Sequence, residues 1–244
     1  MADGIRNKRL GVIGGLGPMA TAYFLERIVD MTDAGSDQEH LDMLIYHMPS
    51  IPDRTRYILD RSQASPVLPM IRIGQTLAAQ QVCCIAIPCI TAHYFHDELT
   101  QAIGCPILHA IRETAACLSD ARVACAGILA TDGTLAGNLF QDALAERGIR
   151  SVTPTSQGQS LVMDLIYRDI KAGLPPRMDR FTAVSDTLRS QGAEVVLLGC
   201  TELSLLKRGR DIGHGFLDVL DILACSALAA CGMPRKPLCH NLIT

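Results

Sequence analysis

The chain has 244 residues, 22 basic against 25 acidic side chains for a formal net charge of -3, and 48% hydrophobic content. That apolar content supports a sizeable folded core and excludes a disordered chain, and the lack of a basic excess argues against a polyanion binder, so no nucleic-acid partner is expected. The charged opening segment, Met1 to Leu10, contains no apolar leader, so the ten cysteines are expected as reduced thiols in a cytoplasmic protein rather than as disulfides.

In chain order, short apolar runs rich in β-branched or sulfur-bearing residues read as strands at Leu10 to Ile13, Met43 to Met48, Val82 to Ile87, Pro106 to Leu108, Val123 to Leu129 and Val195 to Leu198. Helical patterns fall at Met19 to Met31, Val67 to Gln80, His93 to Ile103, Leu135 to Arg147, Leu161 to Lys171 and Arg180 to Gln191. Phe216 to Met233 is the most apolar late stretch. Asp218 and Asp221 interrupt it, so it reads as a packed amphipathic helix and no membrane partner is expected. Strand followed by helix, repeated, predicts an α/β fold with mostly parallel sheets flanked by helices.

Two buried-strand runs resemble each other. Val82 to Ile87 leads through Pro88 to Cys89, and Val195 to Leu198 leads through Gly199 to Cys200, about half a chain length later. The pair predicts two pseudo-symmetric lobes, each with one thiol at the carboxyl end of a strand, where open α/β sheets bind ligands in a cleft. On local pattern alone, two buried strands that happen to end in cysteine remain an equal alternative. The expected division is 1–105 plus 215–244 for the first lobe, the last helix returning to it, and 106–214 for the second. The other cysteines read as small core hydrophobes, Cys117, Cys125, Cys225 and Cys231 among them.

Gly14-Gly15-Leu16-Gly17-Pro18 follows the first strand and meets a loose dinucleotide pattern, but Met43 to Met48 does not end in the acidic residue that nucleotide binding wants. Pro18 suits a first helical turn whose free amides face an anion, and a carboxylate serves as well as a phosphate. Arg54, in the turn Ile51-Pro52-Asp53-Arg54-Thr55, is either a bidentate carboxylate clamp or a surface arginine. His93 and His96 have metal-like spacing but no third nearby ligand; capping or core roles are the alternative, and no metal is expected.

Together these motifs resemble the PLP-independent aspartate/glutamate racemase family, within the wider Asp/Glu/hydantoin racemase superfamily. The matching pieces are Gly14 to Thr21, Asp37-Gln38-Glu39-His40, Ile51 to Thr55, Ile87-Pro88-Cys89 with Thr91-Ala92-His93, Leu129 to Thr134 and Leu198-Gly199-Cys200-Thr201-Glu202-Leu203. The resemblance implies an enzyme without cofactor in which Cys89 and Cys200 act on opposite faces of the α-carbon of a small dicarboxylic amino acid, aspartate or glutamate. Two bases invert a centre that a single base tends to restore. Leu16, Gly17, Ile90, Thr91, Thr131, Thr134 and Thr201 would hold the α-carboxylate end, and Arg54 the distal carboxylate with Lys171 as helper; for Lys171 a solvated helix end is the alternative. His93 and Glu202 would tune the two thiols, or cap helices. The resemblance also implies a homodimer. Ile90 stands where the family usually has asparagine and offers no side-chain hydrogen bond, which leaves open a non-catalytic or altered-specificity binder on the same fold. Ser204 replaces a common proline on the far side of Glu202.

Overall fold

The computed structural model describes residues 9–244, so the charged opening read at 1–8, and that part of the expected first lobe, lie outside the described residues. The first half runs β1 (Leu10–Gly14), α1 (Pro18–Met31), β2 (Met43–His47), α2 (Arg54–Leu59), α3 (Val67–Ala79) and β3 (Cys84–Ala86). A 3-10 turn (Ile90–Phe95) leads into α4 (His96–Ile103) and α5 (Ala110–Asp120). The second half runs β4 (Cys125–Leu129), α6 (Asp132–Ala136), α7 (Leu139–Ala145), β5 (Arg150–Val152), α8 (Ser156–Asp164), a π-helical turn (Leu165–Ile170) and α9 (Met178–Ser190). It closes with β6 (Val195–Leu198), α10 (Thr201–Ser204), β7 (Phe216–Asp218) and α11 (Val219–Ala230).

The strands form two sheets in the orders β2-β1-β3 and β5-β4-β6-β7, and every pairing between them is parallel. This is the expected α/β architecture of two parallel sheets flanked by helices. β1 is buried throughout because helices cover both faces, which explains an uninterrupted apolar run in place of alternation. Parallel register, with Leu10 opposite Met43 and Cys84 and Leu129 opposite Leu198, brings the carboxyl ends of the central strands to one side of each sheet. There each strand turns sharply into a helix. Gly15 at φ +92° makes the first of these turns, and a Cβ there would lie 2.5 Å from the Met48 carbonyl carbon.

One apolar core runs through both halves, from Leu10 and Val12 through Phe24, Ile111, Ala126 and Phe140 to Leu220 and Leu223. Helix α11 lies at its centre, packed against both α1 and α5. Asp221 and Asp218 are therefore not on a solvated face: Asp221 receives a 2.7 Å bond from Arg27, and Lys207 pairs with both carboxylates. Among the described residues no helix is long and apolar enough to cross a membrane.

Several expectations are corrected. The apolar stretch from Phe216 begins as strand β7, which pairs with β6; of the segment expected to return to the first lobe, the strand lies in the second sheet, whereas α11 packs on α1 and the chain just after it bonds the end of α1, Lys236 N donating to the Met31 carbonyl at 2.9 Å. Short apolar runs do not separate strand from helix by periodicity, so the sequence pattern does not distinguish β7 from the helix that follows it. The helix read at Leu135 to Arg147 is divided at Gly137 and Asn138, the latter left-handed at φ 51°. The run Pro106 to Leu108 contributes a single bridge, Ile107 to Ile85. Cys225 is disulfide-bonded to Cys239, their Cα atoms 5.9 Å apart, because the segment after α11 folds back beside it; such proximity leaves no local pattern.

Candidate active site

Cys89 and Cys200 each occupy the residue before a helical turn, Cys89 ahead of the 3-10 turn after β3 and Cys200 ahead of α10 after β6. Both line one small chamber with Leu16, Asp53, Arg54, Thr55, Ile90, Thr91, Thr131, Tyr167, Lys171, Thr201 and Glu202. Leu16, Arg54 and Cys89 come from the first half and Thr131, Tyr167 and Cys200 from the second, so the chamber lies between the lobes. Its volume is about 10 Å³, room for about one water molecule. A wider mouth of about 420 Å³, lined by Gly15 to Ala20, Ile51, Ile170 and Leu205, shares Leu16, Asp53, Arg54, Lys171 and Glu202 with it. That volume is in the range of small-molecule sites.

The two thiols meet different surroundings. Cys200 Sγ donates to Glu202 Oε2 at 2.9 Å. Burial, and then the Glu202 carboxylate, push the Cys200 thiol well above its ordinary pKa, so it is protonated at neutral pH. Arg54 is on the Cys89 side. Burial opposes its charge, but Cys89, Asp53 and Glu202 outweigh that and raise its pKa. A sulfur anion formed at Cys89 thus has a counter-charge beside it.

Arg54 is 7% exposed, and its guanidinium is largely committed to the backbone. Nη1 donates to the carbonyls of Ile51 at 3.2 Å and Pro52 at 2.9 Å, and Nη2 to that of Leu16 at 2.8 Å. It therefore fixes the turn after β1 against the start of α2. Lys171 Nζ lies 3.8 Å from both Asp53 Oδ2 and Glu202 Oε1, and over the Tyr167 ring at 4.2 Å. Burial lowers its pKa, but Glu202, Tyr167, Cys200 and Asp53 together raise it to about 12.

Thr91, Thr131 and Thr134 form a closed triangle of hydroxyls at 2.9, 3.0 and 3.0 Å. Thr91 and Thr131 line the chamber, whereas Thr134 stands behind them as a support. Thr201 donates to Glu202 at 3.4 Å. Gly17 abuts the same carboxylate: a Cβ there would lie 2.5 Å from Glu202 Oε1. Ile90 lines the chamber but is 1% exposed and belongs to the shared core. His93 does not reach a thiol. Its Nδ1 donates to the carbonyls of Cys89 and Ile90 at 3.2 Å, and its Nε2 accepts from the Ala110 amide at 3.2 Å. Burial lowers its pKa to about 4, which keeps it neutral. His96 bonds the Ile107 carbonyl at 3.1 Å.

Sequence reasoning did not select Asp53 or Tyr167. Asp53 caps α2 by accepting from the Arg56 amide at 2.9 Å and also accepts from Tyr167 at 3.1 and 3.3 Å. Asp53 lies in the Ile51 to Thr55 segment, whose turn-like composition hides the six-residue helix that it caps. Tyr167 depends on the π-helical turn, a local widening of the helix that a 3.6-residue period does not anticipate.

The model of the Asp/Glu/Hydantoin racemase family matches residues 13–227. The chain belongs to that family. It is 28% identical over 225 residues to the broad specificity amino-acid racemase RacX of Bacillus subtilis (strain 168), covering 89% of this chain and 94% of that protein. Its fold matches the aspartate racemase of Picrophilus torridus with a TM-score of 0.85 at 27% identity, over 96% of this chain and 98% of that one. It also shares the fold of a glutamate racemase from Francisella tularensis subsp. tularensis SCHU S4 solved with D-glutamate, at a TM-score of 0.68, 13% identity, and 91% and 80% coverage. With the family and these relatives, the chain is an amino-acid racemase.

Proposed function

We propose that the protein racemizes aspartate or glutamate without a cofactor, by proton exchange between Cys89 and Cys200. The single observation that supports this reading best is that the two strand-end sulfurs line one chamber from opposite lobes. In the direction where Cys89 is the base, its thiolate takes the α-proton and becomes a thiol. The Cys200 thiol then gives its proton to the opposite face of the planar carbanion and becomes a thiolate; the reverse direction exchanges the roles. The α-proton is a very weak acid, so the carbanion needs hydrogen bonds aimed at the α-carboxylate, for which Thr91, Thr131, Thr201 and the backbone amides of their helix starts are suited. A distal carboxylate would meet Lys171 at the mouth, with Arg54 behind it. The proposal places the enzyme in the cytoplasm as a homodimer.

A second reading, racemization of a wider range of amino acids, is favoured by the Arg54 hydrogen bonds to three carbonyls, which leave less of that guanidinium for a distal carboxylate. The chiral assay therefore uses a panel of amino acids in D2O. Expected are racemization of aspartate or glutamate with solvent deuterium at Cα, and losses of about 100-fold or more in Cys89→Ala and in Cys200→Ala. Parental turnover by Cys200→Ala would overturn the two-base mechanism, and absence of dicarboxylic substrates from the active panel would overturn the substrate.

A further inference from the structure

Outside the racemase chamber, three cysteines converge where the sequence shows no metal spacing. Cys83 and Cys84 stand at the start of β3, and Cys231 caps the end of α11, 147 positions beyond Cys84. Their sulfurs are 3.1 Å apart for Cys83 and Cys231, 3.6 Å for Cys83 and Cys84, and 4.0 Å for Cys84 and Cys231. Cys84 and Cys231 are buried, and Cys83 is half-buried. Neighbouring residues of an extended strand send their side chains to opposite faces; Cys83 precedes the strand, and both sulfurs reach the same point. Core filling does not require such convergence, because a buried cysteine behaves as a small hydrophobe in any orientation.

We propose that Cys83, Cys84 and Cys231 form a three-thiolate site for monovalent copper. Thiolates select soft ions such as Cu(I) and zinc, and a structural zinc site takes four ligands, whereas three stand together here among the described residues. Three sulfurs suit the three-coordinate preference of Cu(I). Around a trigonal metal with metal–sulfur bonds of ~2.3 Å, ligand sulfurs stand about 4 Å apart, so the observed triangle closes on the ion with a sulfur shift of about 1 Å or less. The half-buried Cys83 gives an entry path. Each copper–sulfur bond formed breaks one S–H bond and releases its proton to solvent, up to three in all; copper enters and stays as Cu(I), so no electron moves. The bound ion would clip the start of β3, whose far end leads to Cys89, onto the end of α11.

The test uses the full chain carrying Cys89→Ala and Cys200→Ala, so that the chamber thiols do not compete. Cu(I), kept reduced by ascorbate without oxygen, is offered from a bicinchoninate complex. Expected are one copper per chain, three sulfur neighbours by X-ray absorption, a rise in Tm on loading, and an affinity at least about 10-fold weaker after Cys83→Ser or Cys231→Ser but unchanged after Cys117→Ser. Cys231 is buried, so its variant also tests folding; Cys83→Ser, at a half-buried position, keeps the test decisive. Retention of all copper by the chelator, equal affinity in Cys83→Ser, or a Cys83–Cys231 disulfide in place of copper would overturn the proposal.

Discussion

At the scale of single residues, the two catalytic candidates are distinguished by their neighbours. Cys200 keeps its proton because it is buried and because Glu202 places negative charge 2.9 Å away. Glu202→Gln removes the charge but leaves the burial, so the Cys200 pKa falls and its thiol ionises at lower pH. In the direction that uses Cys200 as the acid, the alkaline limb of kcat/KM is expected to move to lower pH; an unmoved limb would show that Glu202 does not govern that proton. His93 makes a stability prediction instead. Its pKa falls from 6.5 to about 4 on folding, so the unfolded chain binds more protons between those values. Its contribution is complete above about pH 6.5 and is lost as pH falls toward 4, on the order of 3 kcal/mol at most. His93→Gln, which keeps a donor and an acceptor, is expected to reduce this acid-dependent loss of Tm. An identical pH slope in parent and variant would refute it.

At the scale of elements, strand-end turns position the chemistry. Gly17 precedes α1 with extended backbone at φ -156°, which any residue adopts, so its lack of a side chain matters only for the approach to Glu202. Gly17→Ala should push that carboxylate off Cys200 and Lys171, with about a 10-fold or larger loss of kcat/KM and little change in Tm. Equal loss of Tm and activity would point to general damage of α1. Elements differ in how far sequence reveals them. β1, β4, β6, α1, α3 and α9 were legible because each is a sustained apolar pattern between clear breakers, and Cys89 and Cys200 were legible because each follows such a strand. α2 was hidden by its six residues. β5 carries only Arg150, Ser151 and Val152, too little for an apolar signal. For His93 the sequence leaves open a thiol contact or a capping and core role, because adjacency to Cys89 does not separate its carbonyl from its thiol; the ring bonds the carbonyl.

At the scale of the whole molecule, the chamber of about 10 Å³ is too small for an amino acid, so the proposed exchange between Cys89 and Cys200 requires the lobes to part or their lining to shift. Two bond sets cross the chamber, one between the Thr91 hydroxyl and those of Thr131 and Thr134 of the second lobe and one at Asp53. Tyr167, from the π-helical turn of the second lobe, donates to Asp53 of the first, and Lys171 lies 3.8 Å from the same carboxylate. Burial pushes the Tyr167 hydroxyl up to about 12, so it remains a donor across the physiological range. A hydrogen bond to a charged acceptor is worth on the order of 1.5 kcal/mol or more, but Asp53 keeps Lys171 and the Arg56 amide when Tyr167 is removed, so ~0.5–1.5 kcal/mol is the expected net loss in Tyr167→Phe. Through RT that loss raises the population of open molecules about 2- to 10-fold. Cys89 and Cys200 are 6% and 5% exposed, so alkylation at either depends on opening. Labelling by iodoacetamide, read by mass spectrometry at each cysteine, should therefore accelerate about 2- to 10-fold at both thiols together, with labelling of Cys117 unchanged. Acceleration at one thiol alone would mean that Tyr167 shields that residue locally, and unchanged rates at both would mean that the bond from Tyr167 to Asp53 does not hold the lobes closed.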